Sequence, residues 1–529
     1  MSSGSARLVD HLDKGASLGG DAPCLVCDGE TWTYDEVVGI THRVAGALHA
    51  HGVGPGAKVA VLSANDPVAF ATVLGISRAG AVWCPVNPRN EAAENRELLD
   101  LFDCSALVFT AAYADLVDAI RGDLPAITTL VCLDGEVGWA LTWEAFLATG
   151  PAAGPNEVVD VVPDDDLAML VGTGGTTGRP KGVMLTRTNL ETMTALTLMS
   201  YPWPTLPARP TYLALAPLTH AAGVLCFPVL ASGGSIVVMR APDVGGFLAR
   251  IAEHRVTHTF LPPTLVYMVL DHPDAAATDL SSLECFWYGA APMSTRRLTD
   301  ALERGWPMAQ LFGQTEAPMM ISVMPPADHY DADGAIATAR LSSAGRPTPL
   351  VTVGLMDDGG RLLAPGERGE IVVRGSLVMR GYYRDEAATA EASAYGWHHT
   401  GDIGFLDEEG FLHIVDRAKD MVITGGFNVY STEVEQALMA HPAVADCAVV
   451  GLPDEKWGER LTAVLQLRAG AEGSLGSAVD VAEVQAFVRA RIGSVKTPKQ
   501  VEVWADLPRS KVGKVLKTEI KKQLGSTGG

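Results

Sequence analysis

The sequence predicts an α/β protein with a large N-terminal domain, built mainly on parallel sheets, and a small α+β C-terminal domain. Between residues 59 and 312, apolar runs such as VAVLSAN, LAMLVG and CFWYG alternate with stretches of helical periodicity. Most of these runs are apolar throughout, as strands buried on both faces of a parallel sheet are. Strand–helix alternation of this kind is typical of parallel sheets covered by helices.

The pattern of apolar runs and turn signals changes towards the C-terminus. The runs VTVGLMD, GEIVVRG and GFLHIVD, separated by the turn signals DDGG and DEEG, predict a small β subdomain. The last segment has a helix from about Thr432, a strand at residues 445–451, a glycine-rich loop and a basic tail. We therefore place the N-terminal domain at residues 1–416, a hinge at 417–420 and the C-terminal domain at 421–529.

Composition and charge exclude several classes of protein. A chain of 529 residues is too long for one simple core, and its formal net charge of −22 gives no general electrostatic footprint for nucleic acid or anionic membrane. No stretch approaches the roughly 20 apolar residues that span a bilayer, and the N-terminus lacks the apolar region of a secretory signal. We expect a cytoplasmic protein that is not integral to a membrane. The sequence leaves open whether it is a monomer or a homodimer.

Cys24 and Cys27 form a CxxC pair within the apolar run PCLVC. A structural zinc site needs two further ligands, and the sequence has no second CxxC and no HxxxH pattern. Eight cysteines in a chain of this length do not suggest a disulfide framework. We expect the pair to be buried strand thiols and not a metal or redox site.

The strongest chemical signal is Thr173-Gly-Gly-Thr-Thr-Gly-Arg-Pro-Lys-Gly182, which directly follows an apolar strand. Backbone N–H groups, hydroxyls and a cation in such a loop can surround phosphate oxygens. Pro180 stands where a Walker A loop needs a glycine, and no third glycine completes a dinucleotide fingerprint. The pattern favours a phosphate-binding loop over a merely flexible surface loop.

This loop resembles the signature of the acyl-adenylate-forming superfamily, which includes acyl- and aryl-CoA synthetases, adenylation domains of peptide synthetases, and beetle luciferases. Seven further motifs follow in the family's order, so that the resemblance extends from about residue 30 to about residue 520. These motifs are Pro217-Leu-Thr-His220, Tyr288-Gly-Ala-Ala-Pro292, Phe312-Gly-Gln-Thr-Glu316, Trp397-His-His-Thr-Gly-Asp402, Asp416-Arg-Ala-Lys-Asp420, Gly425-Gly-Phe-Asn428 and Pro508-Arg-Ser-Lys-Val-Gly-Lys514.

The resemblance implies a reaction in two steps. A carboxylic acid is first activated with ATP and Mg²⁺ as an acyl-adenylate, and its acyl group then passes to the thiol of coenzyme A. It also implies a mobile C-terminal domain and a site in the cleft between the domains. Because the carboxylate and the α-phosphate are both anions, cations must stabilise their approach.

Three residues match catalytic positions of the family. Lys514 would contact both the carboxylate and the α-phosphate, although without the resemblance it would be one more lysine of a basic tail. Thr315 would contact the α-phosphate. His220 would lie between the acid pocket and the thiol tunnel, although a lone histidine is more often structural.

The nucleotide would be held by the phosphate loop, an adenine platform and a ribose-binding carboxylate. Glu316 would bind Mg²⁺. Gly174 stands where many members have serine, which removes one hydroxyl from the phosphate loop. The residues that match ATP- or AMP-binding positions are Thr173, Gly174, Gly175, Thr176, Thr177, Gly178, Lys181, Gly289, Ala290, Ala291, Gln314, Thr315, Asp402 and Arg417.

Other positions match the hinge and the coenzyme A site. Lys419 occupies the hinge position, where aspartate or lysine is usual. Ser431 stands where a proline is common. The coenzyme A site would include Arg89, Gly425, Gly426 and Trp457, of which Trp457 could equally be a core or interface residue.

The acid pocket would be lined by small or apolar residues: His220, Tyr288, Gly289, Gly313, Met319 and Met320. This lining predicts an acid with an apolar tail, whether a fatty acyl chain, an aryl ring or a polycyclic group. One alternative is an enzyme that loads an acid onto the phosphopantetheine of a carrier protein. Another is a binding protein that has lost catalysis, which the presence of Lys514, Glu316 and Asp402 disfavours.

Overall fold

The computed structural model describes residues 4–150, 159–173, 180–218, 221–417, 420–425, 427–468, 480–510 and 515–526. The strands are β1 Pro23–Cys27, β2 Glu30–Thr33, β3 Lys58–Leu62, β4 Val82–Val86, β5 Cys104–Phe109, β6 Thr129–Cys132, β7 Leu141–Thr142, β8 Leu167–Thr173, β9 Lys181–Thr186, β10 Thr211–Ala214, β11 Ser235–Val238, β12 His258–Leu261, β13 Cys285–Gly289, β14 Met308–Phe312, β15 Ser322–Met324, β16 Arg346–Pro347, β17 Val351–Met356, β18 Gly369–Gly375, β19 Gly381–Tyr382, β20 His398–Leu406, β21 Leu412–Arg417, β22 Val422–Thr424, β23 Phe427–Val429, β24 Val444–Asp454, β25 Gly458–Leu467 and β26 Gln500–Val503.

The helices are α1 Leu8–Leu18, α2 Tyr34–Ala50, α3 Pro67–Arg78, α4 Ala92–Leu101, α5 Ala114–Arg121, α6 Trp143–Ala148, α7 Arg187–Ser200, α8 Ala221–Val224, α9 Cys226–Ala231, α10 Val244–Glu253, α11 Pro263–Asp271, α12 Thr295–Glu303, α13 Glu386–Ala392, α14 Ser431–Met439, α15 Val481–Ile492 and α16 Lys517–Ser526. Local capping explains where several begin. Thr33 and Glu36 form a reciprocal capping box at α2, and the Asp66 carboxylate accepts two backbone N–H groups at the start of α3.

The first large sheet has the strand order β16-β15-β14-β13-β12-β10-β11-β1-β2. Its central strands, from β14 to β1, run parallel, and antiparallel strands close both edges. All five residues of β13 are buried, which explains why its sequence is an unbroken apolar run.

The second large sheet has the order β19-β9-β8-β4-β3-β5-β6-β7 and is parallel from β8 to β7. A single core cluster joins the two sheets through residues such as Val61, Trp83, Tyr212 and Trp287. The predicted α/β architecture with largely parallel sheets is confirmed.

Two smaller sheets follow. Strands β17, β18, β20 and β21 form an antiparallel sheet where the sequence predicts a β subdomain. Strands β22 to β26 form the last sheet, on which α14 and α16 pack. Strand β21 ends at Arg417 and β22 begins at Val422, on either side of the proposed hinge, so the proposed boundary falls between two sheets.

Two further expectations concern the cysteines and the membrane. Cys24 and Cys27 lie in β1, where both are buried and free, so the pair consists of strand thiols as predicted. None of the helices in the described ranges has the length and the apolar character needed to cross a membrane.

Candidate active site

Neighbouring parallel strands bring several predicted site residues to one edge of the first sheet. Strands β10, β12, β13 and β14 are adjacent, so their carboxyl ends meet there. Ala290 and Ala291 follow β13, whereas Gly313 and Gln314 follow β14. Ligands of open α/β sheets bind outside the carboxyl ends of the strands, so this edge has the position of a binding site.

The backbone at this edge is unusual. Ala290 and Met319 have φ angles of 67° and 61°, a left-handed conformation that costs a residue with a Cβ about 1–2 kcal/mol. Gly289 and Gly313 approach other backbone so closely that an added Cβ would overlap Leu311 and Met319 respectively. Strained and tightly packed backbone of this kind is concentrated at functional sites.

Three of the predicted nucleotide-binding residues form one hydrogen-bonded group. The Gln314 side-chain amide donates to the carbonyl oxygen of Thr400 at 2.7 Å and to Oδ2 of Asp402 at 2.8 Å. Arg417 Nε lies 3.1 Å from Oδ1 of the same carboxylate. Asp402 is buried and Arg417 is exposed. The buried carboxylate is thus held in one orientation, with both of its oxygens facing hydrogen-bond donors.

A second group surrounds the predicted magnesium ligand. The hydroxyl of Tyr382 donates to Oε1 of Glu316 at 2.8 Å, and the Lys181 ammonium lies 4.8 Å from the centre of the Tyr382 ring. Tyr382 reaches this place because β19 pairs with β9, which begins at Lys181. Burial raises the pKa of Tyr382, and the nearby charge of Glu316 raises it further, so its hydroxyl remains a donor.

Both ends of the predicted phosphate loop meet this second group. Thr173 Oγ1 lies 3.5 Å from the carbonyl oxygen of Lys181, which pairs with it across β8 and β9. His398 is buried near Glu316. Burial lowers the pKa of His398, and the negative charge of Glu316 opposes this effect only in part. The arrangement places a carboxylate and a cation beside the ends of a glycine-rich loop, as binding of a metal-bound phosphate requires.

The chain matches a family model over most of its length. The model of the AMP-binding enzyme matches residues 12–383, and that of the AMP-binding enzyme C-terminal domain matches residues 433–514. The chain belongs to the AMP-binding enzyme family. The resemblance drawn from the eight motifs is therefore confirmed.

Relatives and solved structures align with nearly the whole AMP-binding enzyme. The medium/long-chain-fatty-acid–CoA ligase FadD8 of Mycobacterium tuberculosis is 38% identical over 492 residues, covering 91% of this chain and 84% of that protein. A feruloyl-CoA synthase of an Amycolatopsis species is 36% identical over 504 residues, covering 94% and 95%. The solved structure of the amide bond synthetase McbA from Marinactinospora thermotolerans has a TM-score of 0.87 at 29% identity, covering 98% of this chain and 99% of that one.

The predicted acid-pocket residues of the AMP-binding enzyme do not share one core cluster. Tyr288 is buried on the outer side of the sheet, where its hydroxyl lies 3.1 Å from Nε2 of His329. Nδ1 of His329 contacts the carbonyl oxygen of Pro325 and must donate to it, so Nε2 accepts from Tyr288. Met320 is buried in the cluster between the two sheets, and Met319 is partly buried against it. The pocket assignment stays a prediction.

The predicted coenzyme A residues lie in both halves of the AMP-binding enzyme. Arg89 is exposed in the loop after β4. In the last sheet, Gly425 has a φ of 59° and donates its N–H to the carbonyl oxygen of Trp457 at 2.8 Å. The ammonium groups of Lys456 and Lys499 lie 4.9 and 5.6 Å from the centre of the Trp457 ring. The Trp457 indole therefore has two cations beside it, a setting suited to an anionic nucleotide.

Thr315 lies half-buried between Gln314 and Glu316, and its role stays a prediction. Nine other predicted residues lie outside the part of the chain that the structure describes, and their roles stay predictions as well. They are Gly174, Gly175, Thr176, Thr177, Gly178, His220, Lys419, Gly426 and Lys514. Tyr382 is not among the residues predicted from the sequence, because it is 66 positions from Glu316 and reaches it through the pairing of β19 with β9.

Proposed function

We propose that this AMP-binding enzyme is an ATP-dependent acyl-CoA synthetase, an acid–thiol ligase that forms an acyl-adenylate and transfers its acyl group to coenzyme A. The observation that carries the proposal is the pair of polar groups at one sheet edge. One group holds a buried carboxylate, Asp402, and the other places Glu316 and Lys181 around Tyr382.

Asp402 suits a ribose. A carboxylate is an acceptor suited to the two neighbouring hydroxyls of a ribose, and Gln314 and Arg417 orient this one. The adenine would lie against the small residues Ala290 and Ala291, which follow β13.

Glu316 suits a magnesium ion. Mg²⁺ is commonly bound by one or two carboxylates together with substrate phosphates, so a single carboxylate beside a phosphate loop fits. Bound there, the ion would neutralise charge on the phosphate oxygens. Tyr382 occupies one lone pair of Oε1 and fixes the orientation of the carboxylate, which leaves the other oxygen for the ion.

In the first step, a carboxylate oxygen of the acid attacks the α-phosphorus of ATP, and the bond to pyrophosphate breaks. Lys514 would lie between the two anions and stabilise the charge that develops on the phosphate oxygens. Lys181 would hold the leaving phosphates from the end of the phosphate loop.

In the second step, the thiol sulfur attacks the acyl carbon, the bond from that carbon to AMP breaks, and the thiol proton is released. The hairpin of β22 and β23 would form one wall of the thiol's path. In this structure its apolar residues Ile423 and Phe427 are 51% and 59% exposed, so the hairpin faces solvent. The second step therefore needs a different orientation of the C-terminal domain.

The acid has an apolar tail, in line with the apolar residues around the sheet edge. Both relatives described above are named for apolar or aromatic acids, a medium- or long-chain fatty acid and ferulic acid. We therefore assign this enzyme a fatty or aryl acid, and coenzyme A as the acceptor.

A panel of acids tests the proposal. The full chain is incubated with ATP, Mg²⁺ and fatty, aryl and polycyclic acids, and pyrophosphate release is measured with and without coenzyme A. The expected result is pyrophosphate release with at least one apolar acid and formation of its CoA thioester. Thioester formation only on a carrier protein would replace coenzyme A as the acceptor, and no release with any acid would refute the proposal.

A further inference from the structure

A buried carboxylate next to the proposed hinge binds across it. Asp416, near the end of β21, is buried. Its Oδ2 accepts the backbone N–H of Ser431 and, at 2.7 Å, the Ser431 hydroxyl. Ser431 is the first residue of α14, so these bonds join the last strand before residues 417–420 to the first helix after them.

The same hydroxyl is bound from the other side by a lysine. Lys517 Nζ lies 2.5 Å from Ser431 Oγ and 2.8 Å from Oε1 of Glu435. The Lys517 and Glu435 side chains are only 16% and 19% exposed. Burial alone would lower the pKa of Lys517, but the charges of Glu435 and Asp416 outweigh it and raise the pKa, so the ammonium remains charged.

These contacts connect the hinge to the segment that carries the proposed catalytic lysine. Lys517 is the third residue after Lys514. Arg509 and Val515, on either side of residues 511–514, pair as a β-bridge. Arg509 also lines a cavity of about 550 Å³ together with the N-terminal residues Tyr267 and Arg297. The base of the Lys514 segment therefore faces the N-terminal domain in this orientation.

The hairpin of β22 and β23 faces solvent in the same orientation, as Ile423 and Phe427 show. A hairpin that faces solvent does not line the path of the thiol, so under the proposed function this is not the thioester-forming orientation. A rotation at residues 417–420 moves Ser431 and Lys517 as one body relative to Asp416, because both follow the hinge and Asp416 precedes it.

We infer that Asp416, Ser431 and Lys517 form a polar latch that stabilises the adenylate-forming orientation relative to the thioester-forming one. The inference rests on the proposed function and adds three positioning residues to it. A proline at position 431 would have neither an N–H nor a hydroxyl to offer to Asp416.

The substitution Ser431→Pro tests the latch with little risk to the fold. Proline is favoured at the first position of a helix, and Tyr430 before it already has the extended backbone that proline requires, with φ −83° and ψ 121°. The substitution removes both bonds to Asp416 and leaves the Lys517–Glu435 pair intact. Ser494→Ala, at an exposed serine of the same domain, is the matched control.

Two measurements are made on each variant of the full chain. The first is the distance between spin labels on cysteines introduced by Asp274→Cys and Lys522→Cys, measured without substrates. Both positions are exposed, and all eight native cysteines are buried, so labelling is selective. The second is the ratio of ATP–pyrophosphate exchange to thioester formation from supplied acyl-adenylate.

We expect one main label distance for the parent and for Ser494→Ala, and a broader or shifted distribution for Ser431→Pro. We expect the ratio of exchange to thioester formation to fall about tenfold in Ser431→Pro, since hydrogen bonds to a charged group are lost. Asp416→Asn should act in the same direction.

Unchanged distances and an unchanged ratio in Ser431→Pro would overturn the latch. If Ser431→Pro shifts the distance between the labels but the parent enzyme activates no acid, the latch is upheld and the proposed function is refuted.

Discussion

The hydroxyl of Tyr382 donates to Oε1 of Glu316 at 2.8 Å. The Lys181 ammonium lies over the ring of the same tyrosine, 4.8 Å from its centre. Tyr382 therefore contacts both the proposed magnesium ligand and the cation at the end of the phosphate loop. Without it, the carboxylate and the ammonium could pair with each other and become unavailable to the ligand.

We predict that Tyr382→Phe weakens the use of magnesium–ATP. The loss of a hydrogen bond to a carboxylate corresponds to about 1.5–3 kcal/mol, or about tenfold or more in the adenylation rate. The magnesium concentration for half-maximal pyrophosphate exchange should also rise. Tyr383→Phe is the matched control, because it removes a neighbouring hydroxyl that is bonded to Asp103. Equal effects of the two substitutions would contradict the role of Tyr382.

We predict that Asp402→Asn raises the KM for ATP about tenfold or more and leaves the KM for the acid nearly unchanged. Asparagine would present an N–H₂ group to Gln314 or Arg417, which are themselves donors, so the held carboxylate would be lost. Steady-state kinetics with each substrate varied in turn measures the split. Glu408→Gln, at an exposed position in the turn between β20 and β21, is the control. A proportional rise in both KM values would argue against a ribose contact.

The sequence predicted well those features that depend on local pattern. The unbroken apolar runs correspond to strands of the two large sheets, and the eight motifs gave the family. Motif order could not identify Tyr382, because its contact with Glu316 depends on which strands pair at the edge of a sheet. Trp287 and Tyr288 are neighbours in β13 and lie on opposite faces of the sheet, in different core clusters, and an unbroken apolar run does not show which face each residue occupies.

Gly289 illustrates a second limit. Read from the sequence, its small size suggested space for a bulky acid, so that a larger residue there would narrow the pocket. In the structure an added Cβ at Gly289 would overlap the carbonyl oxygen of Leu311 on the neighbouring strand. A substitution at this position would disturb the sheet whatever the acid, because the spacing of β13 and β14 depends on the glycine. Met319, partly buried beside the same edge, is the better position for altering acid selectivity.

We predict that Lys514→Ala abolishes adenylation and spares thioester formation from supplied acyl-adenylate. An ammonium between two reacting anions is needed only while the carboxylate attacks the phosphate, so its loss should affect the first step alone. Pyrophosphate exchange should fall by about a thousandfold, a typical effect for the loss of a group that stabilises transition-state charge. The exposed Lys522→Ala is the control. Equal loss of both half-reactions would show that the assignment is wrong.

We predict that stability decreases in weak acid because of buried histidines. Burial lowers the pKa of His11, His258 and His329 to about 4. The unfolded chain binds protons at these groups near pH 6.5, so the free energy of unfolding is greatest above that pH and falls as the pH drops towards 4. Denaturant midpoints at pH 7 and pH 5 measure the loss. His329→Gln removes one of these groups and should therefore make the loss of stability between pH 7 and pH 5 smaller.

The last prediction concerns Lys419, because one site must serve two reactions. The first needs the Lys514 segment beside the α-phosphate, and the second needs the hairpin of β22 and β23 where that segment was. Rotation between these orientations requires the backbone at residue 419 to change its torsion angles, and proline would fix φ near −65° and remove an N–H group. We therefore expect Lys419→Pro to retain pyrophosphate exchange and to slow thioester formation from supplied adenylate about a hundredfold, a loss typical of a misplaced reactant.

Lys419→Ala, which keeps backbone freedom, is the matched control and should retain both steps. If Lys419 is only an exposed loop residue, proline will reduce both steps in proportion or change neither, and either result would exclude a hinge at this position.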